Sequence, residues 1–380
     1  MQIHSKLPNV GTTIFTVMSA LAKEHHALNL SQGFPDFECN PLLIELAAKY
    51  MRDGQNQYAP MTGIQSLRET ISEILKTCYN ADYNTETEIT VTAGATQGIY
   101  TSIAAFINPG DEVLVFEPAY DCYIPAIELH GGIPIPIELK YPGFSIDWDL
   151  VEEKISDKTR MIIINSPHNP SGSILSSIDL KKLDSMVANK DIIIISDEVY
   201  EHMVFDNATH EGVAKYPSLK NKSLLISSFG KTIHTTGWKI GYVAAPEYLM
   251  KEFRKVHQFL VFAVNHPLQL AIAEFLSDKK NYLELKTFYQ KKRDYFLNLI
   301  KDSRFVPEKC AGTYFQLVSY KNISDLSDSE MAKKLTIENK IATIPLSGFY
   351  TNKTDNKLLR ICFAKKEETL EAAAEILNKI

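Results

Sequence analysis

The stretch Asp191–Tyr200, DIIIISDEVY, runs four consecutive isoleucines into a polar cluster. An unbroken β-branched run with turn-forming residues at its end reads as a strand covered on both faces, the condition of a parallel sheet between helices. The same grammar recurs upstream in Met161–Gly172, MIIINSPHNPSG, and downstream in Ser223–Lys231, SLLISSFGK. Working outward, Ile89–Ala93, Glu112–Phe116 and Ile240–Ala244 are further short strand candidates. Helix patterns such as Ile178–Ala188, opened by Ser176 and Ser177, separate them. Strands alternating with helices predict an α/β fold built on a mainly parallel sheet flanked by helices.

After about Ser277 the texture changes. A long charged helix pattern, Tyr282–Asp302, leads to strands at Thr313–Val318, Ile341–Ile344 and Leu358–Phe363 and a final helix at Lys366–Ile380. This predicts a smaller α+β domain of residues 1–38 and 277–380 beside a large domain of residues 39–276. A chain of 380 residues with 45% hydrophobic content is long enough for two such cores.

A net charge of -6 offers no general attraction to nucleic acid or anionic membrane, which makes a small molecule the expected partner. The five cysteines are scattered and form no C-x-x-C pair, so neither a disulfide framework nor a zinc site is expected. The opening MQIHSKLPNVGTT lacks the apolar core of a signal peptide, and the uncharged stretch Ile89–Gly110 is too polar to span a membrane. A cytoplasmic protein is the expectation.

In open parallel sheets ligands sit beyond the carboxyl ends of the strands, so the polar residues there are the candidate site. Gly94-Ala95-Thr96 enters a helix, reading either as a phosphate-binding N-terminus or as a helix capped by Thr96. Tyr120 offers an aromatic face or a core tyrosine. Asn165–Gly172 builds a rigid polar turn. Asp197 is either a cap for the next helix or a buried carboxylate with a cationic partner. Ser228, Lys231 and Lys239 follow the next strand, where Gly230-Lys231-Thr232 imitates a P-loop but has Leu225 where the first glycine belongs. Arg360, alone within LLRICF, needs an anion, either a substrate carboxylate or a carboxylate of the protein.

Taken in order, SQGFPDF (31–37), NQY (56–58), the Asn165–Gly172 turn, SDEVY (196–200), Ser228–Gly241 and RICF (360–363) resemble the class I aminotransferases, which share the fold-type-I scaffold that binds pyridoxal 5'-phosphate. The match runs nearly end to end. QYAPMTG (57–63) and SSFGKT (227–232) are most similar to the bacterial methionine aminotransferase and kynurenine aminotransferase branches.

The resemblance implies a seven-stranded, mainly parallel sheet in the large domain and a homodimer with shared active sites. It implies that Lys231 attaches the cofactor aldehyde and serves as acid and base, a task for an amine whose pKa is lowered. Asp197 would hold the pyridine nitrogen protonated, Tyr200 and Asn169 would bond the ring's phenolic oxygen, and Tyr120 would stack on the ring. Gly94, Ala95, Thr96, Ser228 and Lys239 would hold the phosphate, with Tyr58 arriving from the neighbouring subunit. Arg360 would clamp the substrate α-carboxylate, assisted by Asn165, Asn169 and the backbone at Gly33. Phe15, Tyr58 and Phe262 would line the side-chain pocket. Where kynurenine-type relatives place an aromatic residue and a histidine near the substrate, this chain has Val264 and Asn265.

The implied activity is ping-pong transfer of an amino group from an amino acid with a neutral apolar or aromatic side chain (methionine, phenylalanine, tyrosine, kynurenine or glutamine) to a 2-oxo acid. A cysteine-conjugate or cystathionine β-lyase on the same scaffold is the alternative. A non-enzymatic effector module would need a DNA-binding domain for which about 30 residues before Gly33 are too few, and no G-x-G-x-x-G marks a dinucleotide enzyme.

Overall fold

The computed structural model describes residues 4–380. Thirteen strands order it: β1 (Leu28–Asn29), β2 (Ile89–Thr92), β3 (Glu112–Glu117), β4 (Ile133–Glu138), β5 (Thr159–Asn165), β6 (Ile193–Asp197), β7 (Ser223–Ser228), β8 (Gly241–Ala244), β9 (Val306–Pro307), β10 (Phe315–Ser319), β11 (Ile341–Ala342), β12 (Ile344–Pro345) and β13 (Leu358–Cys362). Seven of them form one sheet in the order β2-β8-β7-β6-β5-β3-β4, with β8 antiparallel to both neighbours and every other pair parallel.

The isoleucines of β5 and β6 are buried to the last residue, pairing Ile162 with Ile194 and Ile163 with Ile195. Helices cover both faces, so these strands have no solvent side to alternate toward. The helix read at Ile178–Ala188 spans Ser177–Val187, with Ser176 and Asp179 closing a reciprocal capping box.

Direct reading of the apolar runs finds six of the seven strands. The seventh, β4, is the segment IPIPIE, whose two prolines cannot donate to a ladder. It survives because it is the edge strand, paired only with β3.

A second, four-stranded antiparallel sheet runs β12-β13-β10-β9. The run read as one strand over Ile341–Ile344 divides between two sheets: β12 joins this one, while β11 pairs in parallel with β1 and ties the N-terminal segment to the C-terminal part of the chain. The charged helix read at Tyr282–Asp302 is Leu285–Leu299, preceded by the short turn Lys280–Leu283. Arg360 sits in the middle of β13, opposite Leu317 and Ile344, with its side chain turned toward the carboxyl ends of β5, β6 and β7. Among the described residues no helix is long and apolar enough to cross a membrane, and all five cysteines are free.

Candidate active site

Fourteen of the sixteen residues singled out from the sequence line one cavity of about 350 Å³. Its parts come from positions as distant as Phe15 and Arg360, which only the fold brings together.

One end is built largely of backbone. The helix Ala95–Phe106 starts at Gly94, which takes φ 79 and offers no side-chain cap. Thr96 is therefore not the cap, and the first amide N–H groups of the helix have no intrahelical acceptor. The Lys239 ammonium lies so close that a methyl group on Gly94 would come within 3.4 Å of it. Lys239 itself holds the left-handed conformation at φ 54. Gly241 was not singled out by sequence, yet a Cβ there would sit 2.5 Å from the Ser227 carbonyl and 3.1 Å from the Ala95 nitrogen. Free amides, a cation and the Ser228 hydroxyl on one spot form a cradle for a phosphate-like anion.

In the middle, Asp197 is a buried carboxylate and not a helix cap. It accepts the Tyr123 hydroxyl at 2.5 Å and the Val199 N–H at 3.3 Å. Among the described residues it has no cationic partner in an ion pair. Burial, outweighing those hydrogen bonds, pushes its pKa up to about 6. Tyr120 lines the cavity above, set edge-on to Tyr123 at 5.9 Å. The Asn165–Gly172 turn contains two cis peptide bonds, Ser166–Pro167 and Asn169–Pro170. Asn165 bonds within the protein at both ends of its amide, to the Asp197 carbonyl and the Asn169 N–H, each at 2.9 Å.

Lys231 reaches the floor of the cavity from the turn after β7. Its Nζ donates to the Tyr314 hydroxyl at 2.7 Å and to the Gly33 carbonyl at 3.2 Å. Burial pulls its pKa down to about 8, so near neutral pH the ammonium still predominates but the free amine is far more accessible than in an ordinary lysine. Tyr200 is buried beside it, with its ring edge-on to Tyr314 at 5.2 Å. A Cβ on Gly33 would stand 2.7 Å from the Phe315 ring, so a larger residue would have to displace that ring. The Gly33 carbonyl accepts from Lys231 and Tyr314, and its N–H is the backbone group there that could donate to an anion.

The far end belongs to Arg360, which is 1% exposed. Its guanidinium donates to Asn169 Oδ1 at 2.7 Å and to the Ser31 carbonyl at 3.1 Å, while its Nε finds no partner. Phe315, Phe349 and Phe15 surround it at 3.8, 5.1 and 5.2 Å from their ring centres. Burial lowers its pKa to about 10. No protein carboxylate pairs with it among the described residues, so the salt-bridge reading is not realised and the cation faces the cavity uncompensated.

Tyr58 and Phe262 are the two that do not join. They lie against each other at 5.3 Å on the surface, 82% and 41% exposed, outside this chain's cavity. Phe262 takes φ 67, in the left-handed region. Val264 is buried and Asn265 caps the helix His266–Leu276 through Leu268 N–H. Sequence reasoning missed Tyr123, Tyr314 and Phe349, aromatic residues with no local pattern to distinguish them from core.

The residues present suit pyridoxal phosphate. A buried carboxylate without a cation suits a pyridinium, the Gly94 cradle suits a phosphate, an amine of lowered pKa suits an aldehyde, and the orphaned Arg360 Nε suits an amino-acid carboxylate.

Comparison with known proteins points the same way. A sequence model of the family "Aminotransferase class I and II" matches residues 25–377. Methionine aminotransferase of Escherichia coli is 48% identical over 377 residues, which are 99% of this chain and 98% of that one. Kynurenine–oxoglutarate transaminase of Dictyostelium discoideum is 33% identical, covering 97% of this chain and 94% of its own. The crystal structure of YbdL from Escherichia coli, identified as having a methionine aminotransferase function, superposes with a TM-score of 0.98 over the whole of both chains. The chain belongs to the class I and II aminotransferases, on the fold-type-I scaffold, and is a transaminase.

Proposed function

We propose that this transaminase binds pyridoxal 5'-phosphate at Lys231 and moves the amino group of an amino acid with a neutral apolar or aromatic side chain, methionine foremost, to a 2-oxo acid. The observation that carries it is the pair of buried, uncompensated charges across one cavity, Asp197 and Arg360, with an amine of lowered pKa between them. The 48% identity to a methionine aminotransferase supports methionine as donor.

Gly94, Ala95, Thr96, Ser228 and Lys239 would hold the phosphate and Asp197 the ring nitrogen, with Tyr120 on the ring face and Tyr200 and Asn169 at its oxygen. Bound there, the cofactor supplies an electron sink for the pair left when the α-carbon loses its proton. Arg360 binds the α-carboxylate in a fork and sets the α-carbon over the floor, the Asn169 amide supporting it. Lys231 Nζ takes the α-proton, a base poised near the working pH. Phe15, Phe315 and Phe349 give the Arg360 end an apolar wall that suits a thioether or aromatic side chain.

The exposed pair Tyr58 and Phe262, with Phe259 at 90% exposure three residues before Phe262 in the chain, supports a homodimer in which Tyr58 and Phe262 complete the neighbour's site. The β1–β11 pairing supports the division into residues 39–276 and a second unit of 1–38 with 277–380. Amino-acid turnover in the cytoplasm is the setting this reading implies.

The test is product analysis. Cofactor-loaded protein given methionine and no acceptor is expected to release one equivalent of the 2-oxo acid per site and stop, with sustained turnover on adding a second 2-oxo acid. Continuous pyruvate and ammonia from cystathionine, without a methionine half-reaction, would instead identify a β-lyase.

A further inference from the structure

The charges lining the cavity are Lys231, Lys239, Arg360, Asp197 and Asp121. The reading above uses four of them and leaves Asp121. No cation remains for a second carboxylate on the substrate, and the one unassigned ion is itself a carboxylate. It stands in the loop between β3 and the helix Tyr123–Leu129, at the mouth of the cavity, directly after Tyr120.

The loop is fixed from both sides. Ala119 N–H bonds the Phe349 carbonyl at 2.8 Å. Glu117 accepts the Thr351 N–H at 2.9 Å and its hydroxyl at 3.1 Å. Toward the floor, the Tyr123 hydroxyl is tied to Asp197 at 2.5 Å. Phe349, at one tether, also packs on the Arg360 guanidinium. Asp121 is thus held on the Arg360 side of the cavity without being consumed there: no ion pair involves it among the described residues. Asp121 keeps an edge exposed to solvent, while partial burial raises its pKa against the opposing pull of Arg360.

We propose that Asp121 is a specificity-determining residue whose carboxylate repels a second carboxylate on the substrate, so that both half-reactions run on monocarboxylate amino acids and monocarboxylate 2-oxo acids. With the α-carboxylate on Arg360 and the amino group over Lys231, the side chain would run from the apolar wall at the Arg360 end along the cavity edge that carries Asp121. A methionine or phenylalanine side chain passes Asp121 at no electrostatic cost. A glutamate or 2-oxoglutarate side chain brings a like charge beside Asp121 where the lining offers it no free counter-ion, a repulsion that solvent at the exposed edge screens only in part. Selection arises from the repulsive element as well as from the missing arginine. The inference rests on Arg360 binding the α-carboxylate, and its test separates the two.

In cofactor-loaded protein, calorimetric dissociation constants for pentanoate and glutarate, which carry one and two carboxylates on similar chains, give a readout independent of turnover. The native protein is expected to favour pentanoate at least tenfold. Asp121→Asn is expected to shrink that preference at least fivefold by tightening glutarate, with pentanoate changing less than twofold. The kcat/KM ratio of methionine to glutamate should fall by a similar factor. Glutarate binding to the native protein should tighten with ionic strength relative to pentanoate, a dependence that Asp121→Asn flattens. Asp121→Ser, should the asparagine variant misfold, carries the same expectation. An unchanged pentanoate-to-glutarate ratio in a folded neutral variant overturns the proposal. Arg360→Lys is expected to weaken both acids together; pentanoate binding that survives it unchanged would overturn the α-carboxylate reading instead, whatever Asp121 does.

Discussion

Asp197 and Glu198 are neighbours at the end of β6, both buried, and they differ in what answers their charge. Glu198 faces away from the cavity and is fully met by protein: His210 Nε2 at 2.7 Å, the Ser196 hydroxyl at 2.8 Å and the Val213 N–H at 3.1 Å. Glu201, one turn on, is likewise surrounded by the hydroxyls of Tyr79, Ser227 and Tyr242. Asp197 receives one hydroxyl and one long backbone bond and no cation. Arg360, across the cavity, has an idle Nε and no anion. Burial penalises all of these ions alike, so a charge left unanswered by the chain marks where a ligand completes the structure.

The widest gap should open at Arg360. Arg360→Met keeps the apolar contacts with the three phenylalanines and removes the cation. Losing a desolvated charge partner costs about 2–5 kcal/mol, so kcat/KM for amino-acid donors is expected to fall about a thousandfold. The melting temperature of the cofactor-free protein should hold or rise, because an unpaired buried ion is removed. Steady-state kinetics beside calorimetry check both halves, and a large loss of cofactor-free stability would move Arg360 into the structural class with Glu198.

Asp197 comes next, through pH. Its folded pKa is about 6 against an ordinary 3.8, so the cofactor-free native state holds this proton more tightly than the unfolded chain does. Its contribution is therefore favourable below about pH 4 and is lost as pH rises through 6, on the order of 3 kcal/mol in all. Asp197→Asn has no such titration. Denaturant unfolding of the cofactor-free proteins between pH 4 and 7 should show the native chain falling relative to the variant by about that amount. A difference that stays flat with pH would mean Asp197 is already neutralised by the protein.

Much of this site was legible because its chemistry follows strand ends. Lys231, Asp197, Asn169 and Ser228 each terminate or closely follow an apolar run, and the runs themselves give the sheet. What stayed hidden has physical reasons. Gly241 matters through a backbone approach between β8 and a helix start about 145 residues earlier, which no local pattern encodes. Tyr123, Tyr314 and Phe349 act on Asp197, Lys231 and Arg360, residues far from them in sequence, and look like core aromatics in one dimension. β4 was masked by prolines that an edge strand tolerates. Tyr58 and Phe262 stand together outside their own chain's cavity; for Tyr58 that agrees with the expectation of a residue reaching a neighbour's site, whereas the resemblance places Phe262 in the pocket without assigning it to either subunit.

The smallest effect gives the finest contrast. Glu198→Gln keeps shape and volume in a place so tight that a Cβ on Gly212 would meet Glu198 Oε2 at 2.4 Å. The amide oxygen can keep the Ser196 and Val213 bonds. The amide nitrogen then meets His210 Nε2 as a donor, which works if the imidazole proton moves to Nδ1, an atom that has no partner of its own. What is lost is the charge in one hydrogen bond and the preferred tautomer, about 1 kcal/mol. The expected result is a melting temperature lower by a few degrees, with kcat and KM for methionine each within about threefold of the native protein. Asp197→Asn, the same one-atom change at the preceding residue, should do the reverse: hold or raise cofactor-free stability at neutral pH while kcat collapses. If Glu198→Gln instead abolished transamination with the fold intact, the division between answered and unanswered charges would fail, and the network behind β6 would have to be counted as part of the catalytic apparatus.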